Sequence, residues 1–196
     1  MFPVVPANLG PKDLLDAHAQ AWQFLQAGDT KEADRDFGSI LKISPGFYPA
    51  EAGLGYSAFA RKDSQGALSH FDKALAANTG YAPALAGKGD ALLALGRNDA
   101  ALVAFESALA ADPGLTTLRE RVGVLRFRVA QDNIANARKA ADAGRFDEAR
   151  RRYQSAIAAS PDSEFLYREL ASIEHRSGNE TAALTNAQKA AQMDPS

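Results

Sequence analysis

Small, aromatic and aliphatic residues return along this chain at the spacing of one helical face, and they do so five times. Ala33, Phe37 and Ile40 form the first stripe. Ala67, Phe71 and Ala74; Ala101, Phe105 and Ala108; Ala149, Tyr153 and Ala156; and Ala183, Ala187 and Ala190 form the others. Steps of four and then three residues keep each set on one side of a helix with 3.6 residues per turn. Ahead of each alanine by five residues stands Gly28, Lys62, Gly96, Gly144 or Gly178, and twelve residues beyond it stands Pro45, Thr79, Pro113, Pro161 or Pro195. Successive copies are offset by 34, 34, 48 and 34 residues. With only 9 prolines in 196 residues, proline at four of five equivalent places marks a true period.

These landmarks predict pairs of antiparallel helices. The glycine closes helix A in a left-handed conformation at little steric cost, which makes Lys62 the strained exception. The alanine admits the close crossing of helix B over helix A. The proline then stops helix B and presets the next turn.

A 34-residue helix-turn-helix with these landmarks resembles the tetratricopeptide repeat family. The resemblance implies an all-α fold, a right-handed α-solenoid of about five units with a long helix joining two blocks. In this register an extended Pro-rich arm covers 1–13, three repeats cover 14–47, 48–81 and 82–115, and two more cover 130–163 and 164–196. Residues 116–129 are an insertion. Some places depart from the family's pattern: Ala17 and Glu51 stand where a large residue is expected, and Ala21, Ala137 and Ala171 replace a small glycine kept at Gly55 and Gly89.

Fourteen inserted residues are two heptads, so the apolar face keeps its direction. Leu118, Val122, Leu125, Val129 and Ile134 fall at helical spacing with no proline between Thr116 and Ala143, which predicts one helix of about 28 residues. The competing reading breaks the chain at Gln131-Asp132-Asn133, with Asp132 capping a new helix.

The resemblance also implies a function, a non-catalytic protein-interaction module or scaffold holding an extended peptide along the face that helix A lines. Carried over residue by residue, the groove places in the first block are Leu15, His18, Trp22, Leu25 and Gln26, then Ala52, Tyr56, Phe59 and Ala60, then Ala86, Asp90, Leu93 and Ala94. In the second block they include Arg138, Arg168, His175 and Arg176. Gly53 and Gly87 would open a pocket beside Trp22, Tyr56 and Phe59. The plainer reading packs Trp22, Phe59 and Leu93 between helices. The Lys, Asn and Arg set by which carboxylate-clamp members of the family hold chaperone tails is missing, since His18, Trp22, Gly53, Pro83 and Gly87 occupy those places. An apolar or aromatic segment suits the first block, and acidic groups the second.

Charge alters this picture only locally. The chain holds 22 Lys and Arg against 24 Asp and Glu, yet residues 119–152 contain ten basic and five acidic residues, a net of +5. That stretch is either a solvated face with local ion pairs, such as Asp147 with Arg151, or a landing site for an acidic protein. Nucleic acid is disfavoured, because Phe127 and Tyr153 are expected in the core and no stacking aromatics are interleaved. No apolar run is long enough for a transmembrane helix, and "MFPVVPANLGP" lacks the basic-then-apolar order of an intact signal peptide.

Chemistry is absent from the pattern. There are no cysteines, and the three histidines, His18, His70 and His175, belong to different repeats without metal spacing. Asp29, Asp63 and Asp147 stand where helix capping explains them. "GKGDALLALG" falls within helix A and fails the context of a phosphate loop. No cofactor, metal or small-molecule substrate is expected. A second functional reading is a self-associating assembly subunit, part of a larger protein, using either the apolar face of its last helix (Ala183, Ala187, Ala190, Met193) or the Pro-rich arm.

Overall fold

The computed structural model describes residues 5, 6 and 8–194. Among the described residues every regular element is helical. Six helices make three A/B pairs: α1 (Lys12–Gln26) with α2 (Thr30–Ile43), α3 (Tyr48–Ala60) with α4 (Ser64–Ala77), and α5 (Ala82–Ala94) with α6 (Asn98–Ala111). The long α7 (Thr116–Asp142) follows, then α8 (Phe146–Ala159), α9 (Glu164–Arg176) and α10 (Glu180–Met193). The chain forms two compact units, Met1–Arg119 and Glu120–Ser196.

Turn chemistry explains where the pairs fold back. Gly28, Gly96, Gly144 and Gly178 have φ between 71° and 83°, and Lys62 adopts the same left-handed conformation at φ 65° without glycine's freedom. Asp29 and Asp63 then accept the backbone N–H groups of Glu32 and Gly66 at 3.1 and 2.8 Å, which starts α2 and α4. Asp147 is not a cap, because Arg145 holds that place at the start of α8. Its carboxylate instead pairs with Arg150, three residues on, at 2.6 Å, rather than with Arg151.

In the first unit the core sets rings against bare backbone. Phe37, Phe71, Phe105 and Tyr153 are fully buried. A Cβ placed on Gly53 would lie 2.4 Å from the Phe37 ring, one on Gly87 2.3 Å from Phe71, and one on Gly89 2.4 Å from Phe105. The rings of Phe37, Phe71 and Phe105 thus fill the space that helix A glycines leave, whereas Tyr153 packs among alanines. Gly53 and Gly87 therefore open no pocket, which corrects the sequence expectation: the volume they free is taken by Phe37 and Phe71.

α7 is one helix of 27 residues. Asn133, in the stretch where a break was the alternative, is buried and donates its side-chain amide to the Val129 carbonyl one turn back at 3.0 Å. That bond satisfies the amide inside the helix and leaves it no role in ending one. Phe127 is not in the core. It is 68% exposed, with Val124 one turn before it at 65%. In the second unit the far end of α7 contributes Ala137, Ala140 and Ala141 to a core with Ala149, Tyr153, Leu166, Leu170 and Ile173. On α10, Ala183 and Ala190 are buried, so its open apolar surface is Leu184, Ala187 and Met193 rather than the whole alanine stripe.

Candidate functional site

In the first unit α1, α3 and α5 present the places expected to line a groove, and the structure divides those places in two. His18 and Trp22 are buried. The His18 ring sits 5.5 Å from Phe37 and 5.6 Å from Phe47, and its Nε2 has no hydrogen-bond partner. Burial lowers its pKa from the usual value, opposed by a hydrogen bond to the Pro49 backbone. Trp22 meets Phe37 and Tyr56 edge to face at 6.2 and 5.4 Å. Both are packed in the core of the first unit, His18 by Phe37 and Phe47 and Trp22 by Phe37 and Tyr56. The plainer reading therefore holds for Trp22.

The remaining places stay partly open. Leu25, Tyr56, Phe59, Asp90 and Leu93 are each half-buried. Tyr56 is the best held. Its ring lies between Trp22 and Phe71, 5.0 Å from the latter, and its hydroxyl donates to the Pro83 carbonyl at 2.7 Å. Burial, then the negative charge of Asp90, push the phenol far above its ordinary range, so it remains a neutral donor. Tyr48 and Tyr81 form a neighbouring pair, rings 4.9 Å apart, which the repeat register does not single out. The Tyr81 hydroxyl is buried without a hydrogen-bond partner.

The second unit's predicted residues are exposed, and each has a local tether. Arg138 lies over the Phe165 ring at 5.7 Å, with Glu169 4.0 Å away. Glu169 also accepts from the Tyr153 hydroxyl at 2.7 Å. Burial first, then this carboxylate, push Tyr153 up to about 12. Arg168 pairs with Glu164, and His175 with Glu180 at 2.9 Å. Arg176 turns elsewhere, donating to the Ala141 carbonyl at 3.1 Å and lying 5.1 Å over the Phe146 ring. Arg138 and Phe165 are thus brought together, while the Arg176 side chain reaches from the end of α9 to the turn between α7 and α8. Sequence reasoning missed Phe165 because it stands at the second position of its helix, away from the stripe that marks the core.

Among the described residues no group of three or more His, Asp or Glu is placed to hold a metal ion. Nor is any helix among them long and apolar enough to cross a membrane.

Such geometry defines a class: a helical-repeat protein whose paired helices stack through small-residue crossings. Tetratricopeptide repeat models match residues 18–83, 58–120 and 134–196, and the chain belongs to that family, whose members serve as protein-interaction modules. No curated protein matches the sequence. Among solved structures, a thermophilic TPR protein of Thermus thermophilus is similar at 20% identity and a TM-score of 0.52, over 93% of this chain and 92% of that one. The first TPR of Spaghetti (RPAP3), bound to the HSP90 peptide SRMEEVD, shares 20% identity over 60% of this chain and 95% of its own, with a TM-score of 0.57. YrrB, described as a TPR protein with an unusual peptide-binding site, shares 18% over 91% and 85%, with a TM-score of 0.50. At these identities the likeness concerns the fold.

Proposed function

We propose that the chain is a non-catalytic binding module that holds an extended peptide or protein segment along its helix A faces. The observation carrying this reading is the row Leu25, Tyr56, Phe59, Asp90 and Leu93, apolar or aromatic but for one carboxylate and partly open to solvent. Tyr56 is immobilised by Pro83, Trp22 and Phe71, so contact with it costs little further ordering, as befits an anchor in a binding face. In the second unit Arg138 over Phe165, with Arg168 three residues beyond that ring in sequence, suits an aromatic or acidic side chain. Known TPR domains bound to peptides support the class of ligand. The chaperone-tail mode is not adopted here, because the clamp residues are missing.

Peptide display selection on the immobilised protein tests this reading. Enriched peptides should carry aromatic or large aliphatic residues, and a Tyr56→Ala, Phe59→Ala double variant should weaken them about tenfold or more, two hot-spot truncations. Selected peptides that bind the double variant as tightly as the wild type would remove the groove from the account.

One observation favours a second reading, self-association. Leu184 on α10 is 61% exposed, whereas Leu68 and Leu102 at the same repeat position are 5% exposed. A second copy laid against α10 would cover it. Sedimentation over a concentration series should then show a dimer that Leu184→Glu dissolves; a monomer at every concentration ends this alternative.

A further inference from the structure

At one edge of the second unit a cavity of about 650 Å³ opens between the turn that leads into α8 and the end of α9. Its wall carries Arg145, Arg150, Arg151 and Arg176 against only Asp147 and Glu148. Both carboxylates are already matched, Glu148 by Arg145 at 2.7 Å and Asp147 by Arg150 at 2.6 Å. Arg150 is committed further, to buried Glu174 at 2.8 Å and to the Ser177 hydroxyl at 3.2 Å. Two guanidinium groups remain. Arg151 is exposed and makes no side-chain hydrogen bond or ion pair among the described residues. Arg176 spends one N–H on the Ala141 carbonyl and rests on the Phe146 ring, contacts that fix its plane without neutralising its charge.

We propose that this cavity is a second binding site, one that takes neighbouring carboxylates of an acidic peptide segment on Arg151 and Arg176. The guanidinium fork meets a carboxylate with two parallel hydrogen bonds, and a fork held by a ring and a carbonyl loses little freedom when it does so. Four guanidinium groups thus meet three carboxylates, a surplus of one positive charge, and the two forks without a carboxylate of their own, Arg151 and Arg176, can each receive one of two consecutive Glu or Asp side chains. The volume is that of a pocket for a few side chains. The site lies at the inter-helix turns, shares no residue with the row around Tyr56, and stands or falls apart from it.

A fluorescein-labelled hexaglutamate peptide, followed by polarisation against the full chain at low ionic strength, reads the site directly, with hexaglutamine as its uncharged counterpart. Hexaglutamate should bind and hexaglutamine should not. Arg151→Gln with Arg176→Gln should weaken hexaglutamate about tenfold or more, the loss of two charge-assisted contacts. Arg119→Gln with Arg128→Gln removes the same net charge outside the cavity and should leave affinity within about twofold. Should the Arg176 variant fail to fold by circular dichroism, exposed Arg151→Gln alone should still show a loss of about threefold or more. Equal losses in the two double variants, or binding of hexaglutamine as tight as that of hexaglutamate, would overturn the assignment.

Discussion

Gly87 and Gly123 are both helical glycines, and they should answer the same substitution with opposite signs. Alanine is the better helix former by about 1 kcal/mol, so an unobstructed Gly→Ala change stabilises. Around Gly123, on α7, nothing lies within 4 Å of a new Cβ. Gly123→Ala should therefore gain about 0.5–1 kcal/mol in urea denaturation. At Gly87 the methyl would enter the Phe71 ring at 2.3 Å, and overpacking of this kind costs about 1–3 kcal/mol. A Gly87→Ala variant as stable as the wild type would mean that Phe71 has room to withdraw. His18 supplies a second prediction at this scale. Its folded pKa is lowered by burial, so below the ordinary histidine value the unfolded chain binds more protons than the folded one. Stability should be complete above about pH 6.5 and fall as pH drops beneath it, by at most about 1.4 kcal/mol per pH unit from this one group. Trp22, which packs in the same aromatic cluster, reports the loss by fluorescence. Replacing His18 with Leu should flatten the difference in urea midpoint between pH 7.5 and 5.5 (about one unit either side of the histidine value), and an unchanged difference would place the sensitive group elsewhere.

Among the elements, α8, α9 and the turn into α10 meet on one buried carboxylate. Glu174 accepts from Arg150 at 2.8 Å and from the Asn179 amide at 3.2 Å, while its backbone carbonyl takes the Ser177 hydroxyl at 2.9 Å. Removing one partner of a buried ion pair leaves the other uncompensated, at about 3–5 kcal/mol when both are sealed from water. Arg150 keeps 25% of its side chain exposed and can turn to solvent, so the cost should be smaller. Glu174→Ala should lower stability by about 2 kcal/mol, with faster amide hydrogen exchange concentrated in α8 and α9. Exchange that accelerates equally in α1 to α6 would contradict the local role.

At the scale of the whole molecule, most of the architecture could be read from the chain because its signals are local and repeated. Gly, Ala, aromatic and Pro at fixed offsets report turns and crossings directly, and even the strain at Lys62 was legible. The long α7 followed from a stripe without proline. What failed to show was which side of a helix A residue faces. His18 and Trp22 occupy groove places in the register, yet Phe37, Phe47 and Tyr56 pack around them, a long-range event that periodicity does not record. Gly53 and Gly87 looked like vacant volume because the ring that fills each comes from a separate helix. Arg150 and Glu174 lie 24 residues apart, and neither is unusual until the fold joins them.

Paired glycines in α3 (Gly53, Gly55) and α5 (Gly87, Gly89) also govern the order in which the chain acquires its shape. Two glycines forfeit about 2 kcal/mol of helix propensity relative to alanine, more than a helix of 13 residues holds in isolation. As the polypeptide emerges from the ribosome, α3 meets Phe37 of the preceding helix at once, but the ring that seals Gly55 belongs to Phe71, which is made sixteen residues later. Each such helix must wait, partly wound, for a ring half a repeat further along to emerge, so α3 and α5 should close their packing about half a repeat behind their own emergence.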